Sequence, residues 1–263
     1  MTDLLILSDA IRHILSIVCA MFYLSAFGCC FKDKAQRISS ALWGMGTAIN
    51  GLIVISNWIV NGYMPFVSMY QVLTFLSLTY TLVFIYIRYR FKGGFMKPYF
   101  MIFQSIIMVG VFFMGRVASA WNFPPALQSA YFIPHVFSYM ISYTLVAVAA
   151  LMCIISFFLN GENKLQYEKA VYHLVITGFP FMVLGMLLGA LWANACWGNF
   201  WSWDLKETWS LLTVMTLSAF LHFRRTAVYG KYAKILVIIA FVFEIITLFF
   251  VGMFDDSSIH AYS

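Results

Sequence analysis

Long apolar runs, broken by short polar or basic stretches, recur along this chain from end to end. The pattern predicts eight helical spans, near 8–30, 38–60, 70–90, 98–115, 135–159, 170–192, 208–223 and 233–253. The runs are continuous rather than alternating, which argues against strands. Roughly 20 apolar residues are what a helix needs to cross the hydrocarbon core of a bilayer. A segment inside lipid must also satisfy its own backbone hydrogen bonds, which a helix does. The predicted fold is therefore all-α: a polytopic membrane bundle of about eight transmembrane helices, forming a single domain over residues 1–263.

Composition agrees with that reading. The chain is 63% hydrophobic and 10% charged, whereas a soluble domain carries about a quarter charged residues. The basic residues sort unevenly. Thirteen lie after spans 1, 3, 5 and 7: Lys32, Lys34, Arg37, Arg88, Arg90, Lys92, Lys97, Lys164, Lys169, Arg224, Arg225, Lys231 and Lys234. The opposite connections hold only Arg116 and Lys206, and Arg12 falls in the outer part of span 1. Under the positive-inside rule the basic connections face inward, so both termini are expected outside. The net charge of +6 is then a topology signal, and no basic stripe remains for a nucleic acid. Asp3 and Asp9 stand where a signal peptide would carry positive charge, so span 1 is read as a retained helix. The five cysteines include no C-x-x-C pair, and only Cys196 lies outside. That excludes a disulfide framework and argues against structural zinc.

The candidate chemistry gathers between spans 6 and 7, in an external loop near 193–207. Five of the eight tryptophans, Trp192, Trp197, Trp201, Trp203 and Trp209, fall within eighteen residues, alongside Asp204, Lys206 and Glu207. An interfacial aromatic belt spreads its rings over many helix ends. A cluster suits a flat, apolar, conjugated ligand instead. His135 enters span 5 from outside in "PPALQSAYFIPH", and His260 lies in the outer tail "DDSSIHAYS". Two histidines flanking a tryptophan cluster read as axial ligands to haem iron, with the porphyrin as the flat body. His222, at the inner end of span 7 in "SAFLHFRR", is either an interfacial residue or a second haem station; His173 and His13 are weaker candidates. Arg116 and Lys206 stand outside against the charge bias and would suit the haem propionates, though Lys206 can equally pair with Asp204 or Glu207. Glu244, at mid-span, should face the bundle interior or be protonated. "GMLLG" (Gly185 to Gly189) marks close helix packing rather than a ligand contact. Phosphate-cradling and nucleophile motifs are absent.

The stretch "LLGALWANACWGNFWSWDLKETWSLLTVMTLSAFLH" resembles the Trp-Trp-Asp signature of cytochrome c assembly proteins of the CcsA type. "PPALQSAYFIPHV" and "IHAY" resemble the segments carrying that family's two external histidines, and "FLH" its membrane-buried haem ligand. Leu205 stands where the family usually has proline. The resemblance implies a subunit of a holocytochrome c synthase (haem lyase) in a bacterial inner membrane or a thylakoid membrane, with its active face outside. Haem b would be both bound ligand and substrate. It would enter past His222, with a partner membrane protein of the CcsB/ResB type supplying the opposite ligand, and reach an outer site. There His135 and His260 would bind iron and serve catalysis, while the Cys-x-x-Cys-His motif of an apocytochrome c receives the haem. Thiol-reducing proteins would keep those cysteines reduced. The alternative is a haem transporter or chaperone that delivers haem without attaching it. A small-solute transporter would need polar residues spread over several midplanes, and almost only Glu244 qualifies.

Overall fold

The apolar runs fold as helices, and among the described residues (2–113, 124–225 and 230–250) the computed structural model contains no strand. The helices are α1 (Thr2–Cys29), α2 (Gln36–Asn61), α3 (Met69–Phe91), α4 (Lys97–Phe113), α5 (Phe132–Ser156), α6 (Gly161–Trp197), α7 (Leu205–Phe223) and α8 (Gly230–Ile245). A π-helical turn over Ile246–Phe250 follows α8. Seven of them are long and apolar enough to cross a membrane; α7, which opens on Lys206, Glu207 and Thr208, is not among the seven. The chain forms two compact units, 1–128 and 129–263.

In the first unit α1 packs on α2 and α4, and α3 packs on both α2 and α4. Its interior carries a polar network among buried apolar side chains such as Tyr23, Phe84 and Phe100. Trp43 Nε1 donates to Gln104 Oε1 at 2.6 Å, and Gln104 Nε2 donates to the Ser77 carbonyl and to Thr81 Oγ1, each at 2.8 Å. Other large apolar side chains such as Ile14, Leu24, Leu52 and Ile59 are exposed. Hydrogen bonds between helices and apolar residues outward are what a lipid solvent selects.

In the second unit α5 packs on α6 and α8, and α7 packs on α6 and α8. The α5–α6 approach is close because small residues line it: a Cβ on Gly178 would lie 3.1 Å from Leu145 Cβ. Lys234 of α8 ties three helices together. Its Nζ donates to Glu168 Oε1 on α6 at 2.8 Å and to Ser156 Oγ on α5 at 3.0 Å.

The largest departure from the sequence expectation is α6. It has 37 residues, starting nine before the expected span and ending five after it. At 1.5 Å per residue it is roughly 55 Å long, against a hydrocarbon core of about 30 Å. Its early turns, "ENKLQYEK", lack the apolar signature but are strong helix formers. Ala190, Ala193 and Ala195 carry the helix through to Trp197. Gly198, with φ 79°, then ends it by donating to the Asn194 carbonyl at 2.9 Å. Trp192 and Trp197 are thus helical residues, and the loop between α6 and α7 is only 198–204.

Candidate functional site

His135 sits in the first turns of α5, where its ring reaches α6. Its Nδ1 lies 2.8 Å from the Gly185 carbonyl oxygen. A carbonyl can only accept, so Nδ1 carries a proton, and in the neutral ring Nε2 then carries the lone pair. The seat is made by glycine: a Cβ on Gly189 would meet His135 Cε1 at 2.7 Å and Nδ1 at 2.8 Å. One turn earlier, a Cβ on Gly185 would lie 3.1 Å from the Tyr139 ring. Two aromatic rings then frame the imidazole. Tyr139 meets it edge-on with centroids 4.9 Å apart, and Trp192 lies tilted at 5.6 Å. Trp192, 2% exposed, is packed in turn by Phe132 and Trp197, each at 5.2 Å. The GMLLG glycines are packing residues: Gly189 seats the His135 ring and Gly185 the Tyr139 ring.

The loop from Gly198 to Asp204 is held by a reciprocal cap on α7. Glu207 N–H donates to Asp204 Oδ1 at 2.7 Å. Glu207 Oε2 accepts from the backbone N–H groups of Ser202 (2.8 Å) and Asp204 (3.3 Å). This is the Asp-x-x-Glu capping box, which satisfies helix-end donors from both sides. Trp203 is fixed in the left-handed region at φ 61°, with its side chain 69% exposed and its ring edge-on to Trp201 at 5.8 Å. The buried Trp201 Nε1 has no hydrogen-bond partner among the described residues. Lys206 is partly buried; desolvation lowers its pKa, and the Asp204 carboxylate opposes that shift. Trp209 packs on Phe243 of α8 at 5.2 Å.

Among the described residues, Trp192 thus joins His135 to Trp197, Trp201 meets Trp203, and Trp209 meets Phe243. His222 lies at the other end of α7 from Asp204, exposed, with Phe223 beside it at 5.4 Å. Two residues on, the Arg224 guanidinium stands 3.6 Å above the Tyr172 ring, which joins this end of α7 to the stretch of α6 that carries His173. His13, in the first unit, packs on Tyr70 and Phe112. His260 and Arg116 lie outside the described residues. Sequence reasoning passed over Tyr139 and the seating role of Gly189, because both depend on which α6 turn faces His135. It also passed over the left-handed Trp203, for which no residue type gives a signal.

Behind His135, the Tyr143 ring packs tilted on Tyr139 with centroids 5.5 Å apart. Glu244 of α8 is 2% exposed, and neither carboxyl oxygen has a partner among the described residues. An ion exposed to lipid would be costly, and the carboxyl group is turned into the bundle interior.

The comparisons with known proteins cover this unit and extend into the first. A family model described as "Cytochrome C assembly protein" matches residues 66–257. The cytochrome c biogenesis protein CcsA of Chlamydomonas reinhardtii is 30% identical over 210 residues, covering 73% of this chain and 59% of that protein. This chain thus spans less than two thirds of the Chlamydomonas protein. CcsA of Guillardia theta is 27% identical over 259 residues, with coverage of 83% and 85%. CcsA of Prochlorococcus marinus (strain MIT 9301) is 24% identical over 234 residues, at 76% of each chain. With that model spanning α3 to α8, and His135 and the whole tryptophan-rich segment inside the match, the chain belongs to the cytochrome c assembly protein family and is of the CcsA type.

Proposed function

We propose that this chain acts in cytochrome c biogenesis by holding haem, its substrate, at the tryptophan-rich end of the second unit while the haem is joined to apocytochrome c. The observation that carries this reading is His135. Its Nδ1–H is spent on the Gly185 carbonyl, so Nε2 is the nitrogen that bears the lone pair. Such a hydrogen bond is how ligating histidines are oriented and made more basic. Trp192 and Tyr139 around it, with Trp197 packed on Trp192, suit a conjugated macrocycle. The capping box fixes the loop that presents Trp201 and Trp203, so the rings are set before any ligand arrives.

Haem, taken as haem b, supplies an iron that accepts imidazole and two vinyl groups that accept thiols. Each thiol of the Cys-x-x-Cys-His motif adds across one vinyl. The sulfur–carbon bond forms, the thiol proton passes to the other vinyl carbon, and no oxidant is consumed. The chain's contribution is orientation and exclusion of side reactions. In this scheme His260 is the second external ligand, and Arg116 and Lys206 meet the propionates. His222 receives haem at the opposite end, with a histidine from a CcsB/ResB-type membrane partner across the iron. Thiol-reducing proteins keep the apocytochrome cysteines reduced. The basic connections face inward, so the tryptophan-rich face and both termini lie outside, in a bacterial inner membrane or a thylakoid membrane. On this reading the chain is one subunit of a holocytochrome c synthase.

The test is the haem content of the purified full chain beside covalent haem on a reporter cytochrome c. His135→Ala is expected to lower bound haem by about tenfold or more, as losing a ligand or its orienting partner does, and added imidazole should restore part of it. Parental haem content in the variant overturns the proposal. A haem-loaded chain that, with its partner present, never yields thioether-linked product assigns the protein to haem delivery alone.

A further inference from the structure

At one end of the first unit, the start of α2, the last turns of α3 and the start of α4 border an open cavity of about 440 Å³. Gln36, Arg37 and Ser40 line it from α2, Phe84 and Arg88 from α3, and Lys97 from α4. Three cations converge there and no carboxylate lines the wall. Among the described residues none of the three forms an ion pair.

Charges that merely mark topology would splay apart into water. Arg37 and Arg88 are exposed and free to do so, but Lys97 is 8% exposed. Its ammonium donates to Ser40 Oγ at 2.9 Å and Ser39 Oγ at 3.3 Å, and lies 5.9 Å from the Trp43 ring centroid. Hydroxyls satisfy its hydrogen bonds and leave its charge uncompensated. The first turns of α2 and α4 open on the same cavity, and the N–H groups of a helix start add partial positive charge. The three cations and the two helix starts favour an anion, and they outweigh the partial negative charge at the carbonyl end of α3.

We propose that this cavity binds the phosphate of an anionic phospholipid. The chemistry recognised is a phosphate group, and the surroundings argue for one attached to acyl chains. The cavity lies at the ends of three candidate membrane spans. Phe84 gives it an apolar wall, and Ile38 and Ile85, 57% and 45% exposed, stand on the adjoining turns. Basic pockets between transmembrane helices hold anionic head groups, and each Lys or Arg near the surface strengthens binding by roughly fivefold. The site is independent of the haem proposal, and its failure would not touch that reading.

The experiment uses the full chain in detergent, with the thermal unfolding midpoint and native mass spectrometry as readouts. Phosphatidylglycerol, phosphatidylcholine and inorganic phosphate are titrated separately. Phosphatidylglycerol is expected to stabilise and remain bound, and phosphatidylcholine to do neither. Arg37→Gln and Arg88→Gln, both exposed and tolerant of change, should each weaken the phosphatidylglycerol effect roughly fivefold. Arg90→Gln and Lys92→Gln, basic residues of the same end that do not line the cavity, should leave it unchanged. Equal losses in all four variants would reduce the effect to general surface charge and overturn the site. Saturation by inorganic phosphate at millimolar concentration would overturn the lipid assignment in favour of a soluble anion. Indistinguishable lipids would overturn both. Lys97→Met is a further arm, and the two arginine variants decide the question even if it fails to fold.

Discussion

A single methyl group on Gly189 would collide with the ring of His135 at 2.7 Å, a separation that nothing short of moving the imidazole relieves. Two effects oppose each other there. Alanine is the better helix former by about 0.5–1 kcal/mol, while forcing an extra methyl into a packed seat costs about 1–3 kcal/mol. The clash should win, so Gly189→Ala is expected to lower both thermal stability and retained haem. Gly185→Ala, whose Cβ meets the Tyr139 ring at 3.1 Å, should be milder on both counts. Equal or reversed effects in paired melting and haem measurements would reject the seat. Trp203 gives the opposite trade. Its left-handed backbone costs on the order of 1 kcal/mol, and its exposed ring has little packing to lose. Trp203→Gly should therefore hold or raise the melting temperature while reducing holocytochrome yield; an unchanged yield would leave the ring without a role. At this scale the sequence showed which residue types were unusual and not which faced each other. GMLLG could be read as a packing motif, but its partner on α5 is fifty residues away.

Between α6 and α7, the carboxylates of Asp204 and Glu207 are committed to backbone N–H groups. Loss of an N-cap side chain typically costs about 1 kcal/mol. Asp204→Ala is expected to destabilise by about that much, Asp204→Ser by far less, and Asp204→Ala with Glu207→Ala by less than the sum, since each residue serves one reciprocal cap. Additive losses in chemical or thermal unfolding would show that the two act separately. The pattern Asp-x-x-Glu before an apolar run is a helix-start signature, so this cap was legible in "DLKETW" even though the charges there draw the eye toward a ligand. The ends of α6 were not. Its first turns are helical for reasons of propensity, and a search for apolar runs is blind to them. Tryptophan at its far end reads equally well as loop or helix until the left-handed Gly198 is seen.

For the molecule as a whole, the all-helical fold was legible because lipid leaves the backbone few alternatives, and runs of apolar residues report that directly. The division at residue 128 was not, since no linker composition marks it. Nor did sorting the basic residues by side reveal that Arg37, Arg88 and Lys97 share a cavity. The Lys234 pairing offers a test of how the second unit is held. Its ammonium is 8% exposed and its partner Glu168 is 38% exposed. Removing the exposed partner strands a buried cation, whereas removing the cation leaves a carboxylate that can turn to water. Glu168→Gln is thus expected to cost on the order of 1–3 kcal/mol, and Lys234→Met clearly less; the reverse order in melting curves would show that the contact is incidental. Pro180 of α6 has no N–H to give the carbonyl four residues before it, and the helix containing it is longer than the bilayer is thick. Amide deuteration along this one helix should accordingly run fast in its polar first turns and slow through its lipid-level middle, with a local acceleration near the proline. A rod that tethers two aqueous layers would then flex at a defined point, and bending there would re-aim the tryptophan-bearing end without unwinding it.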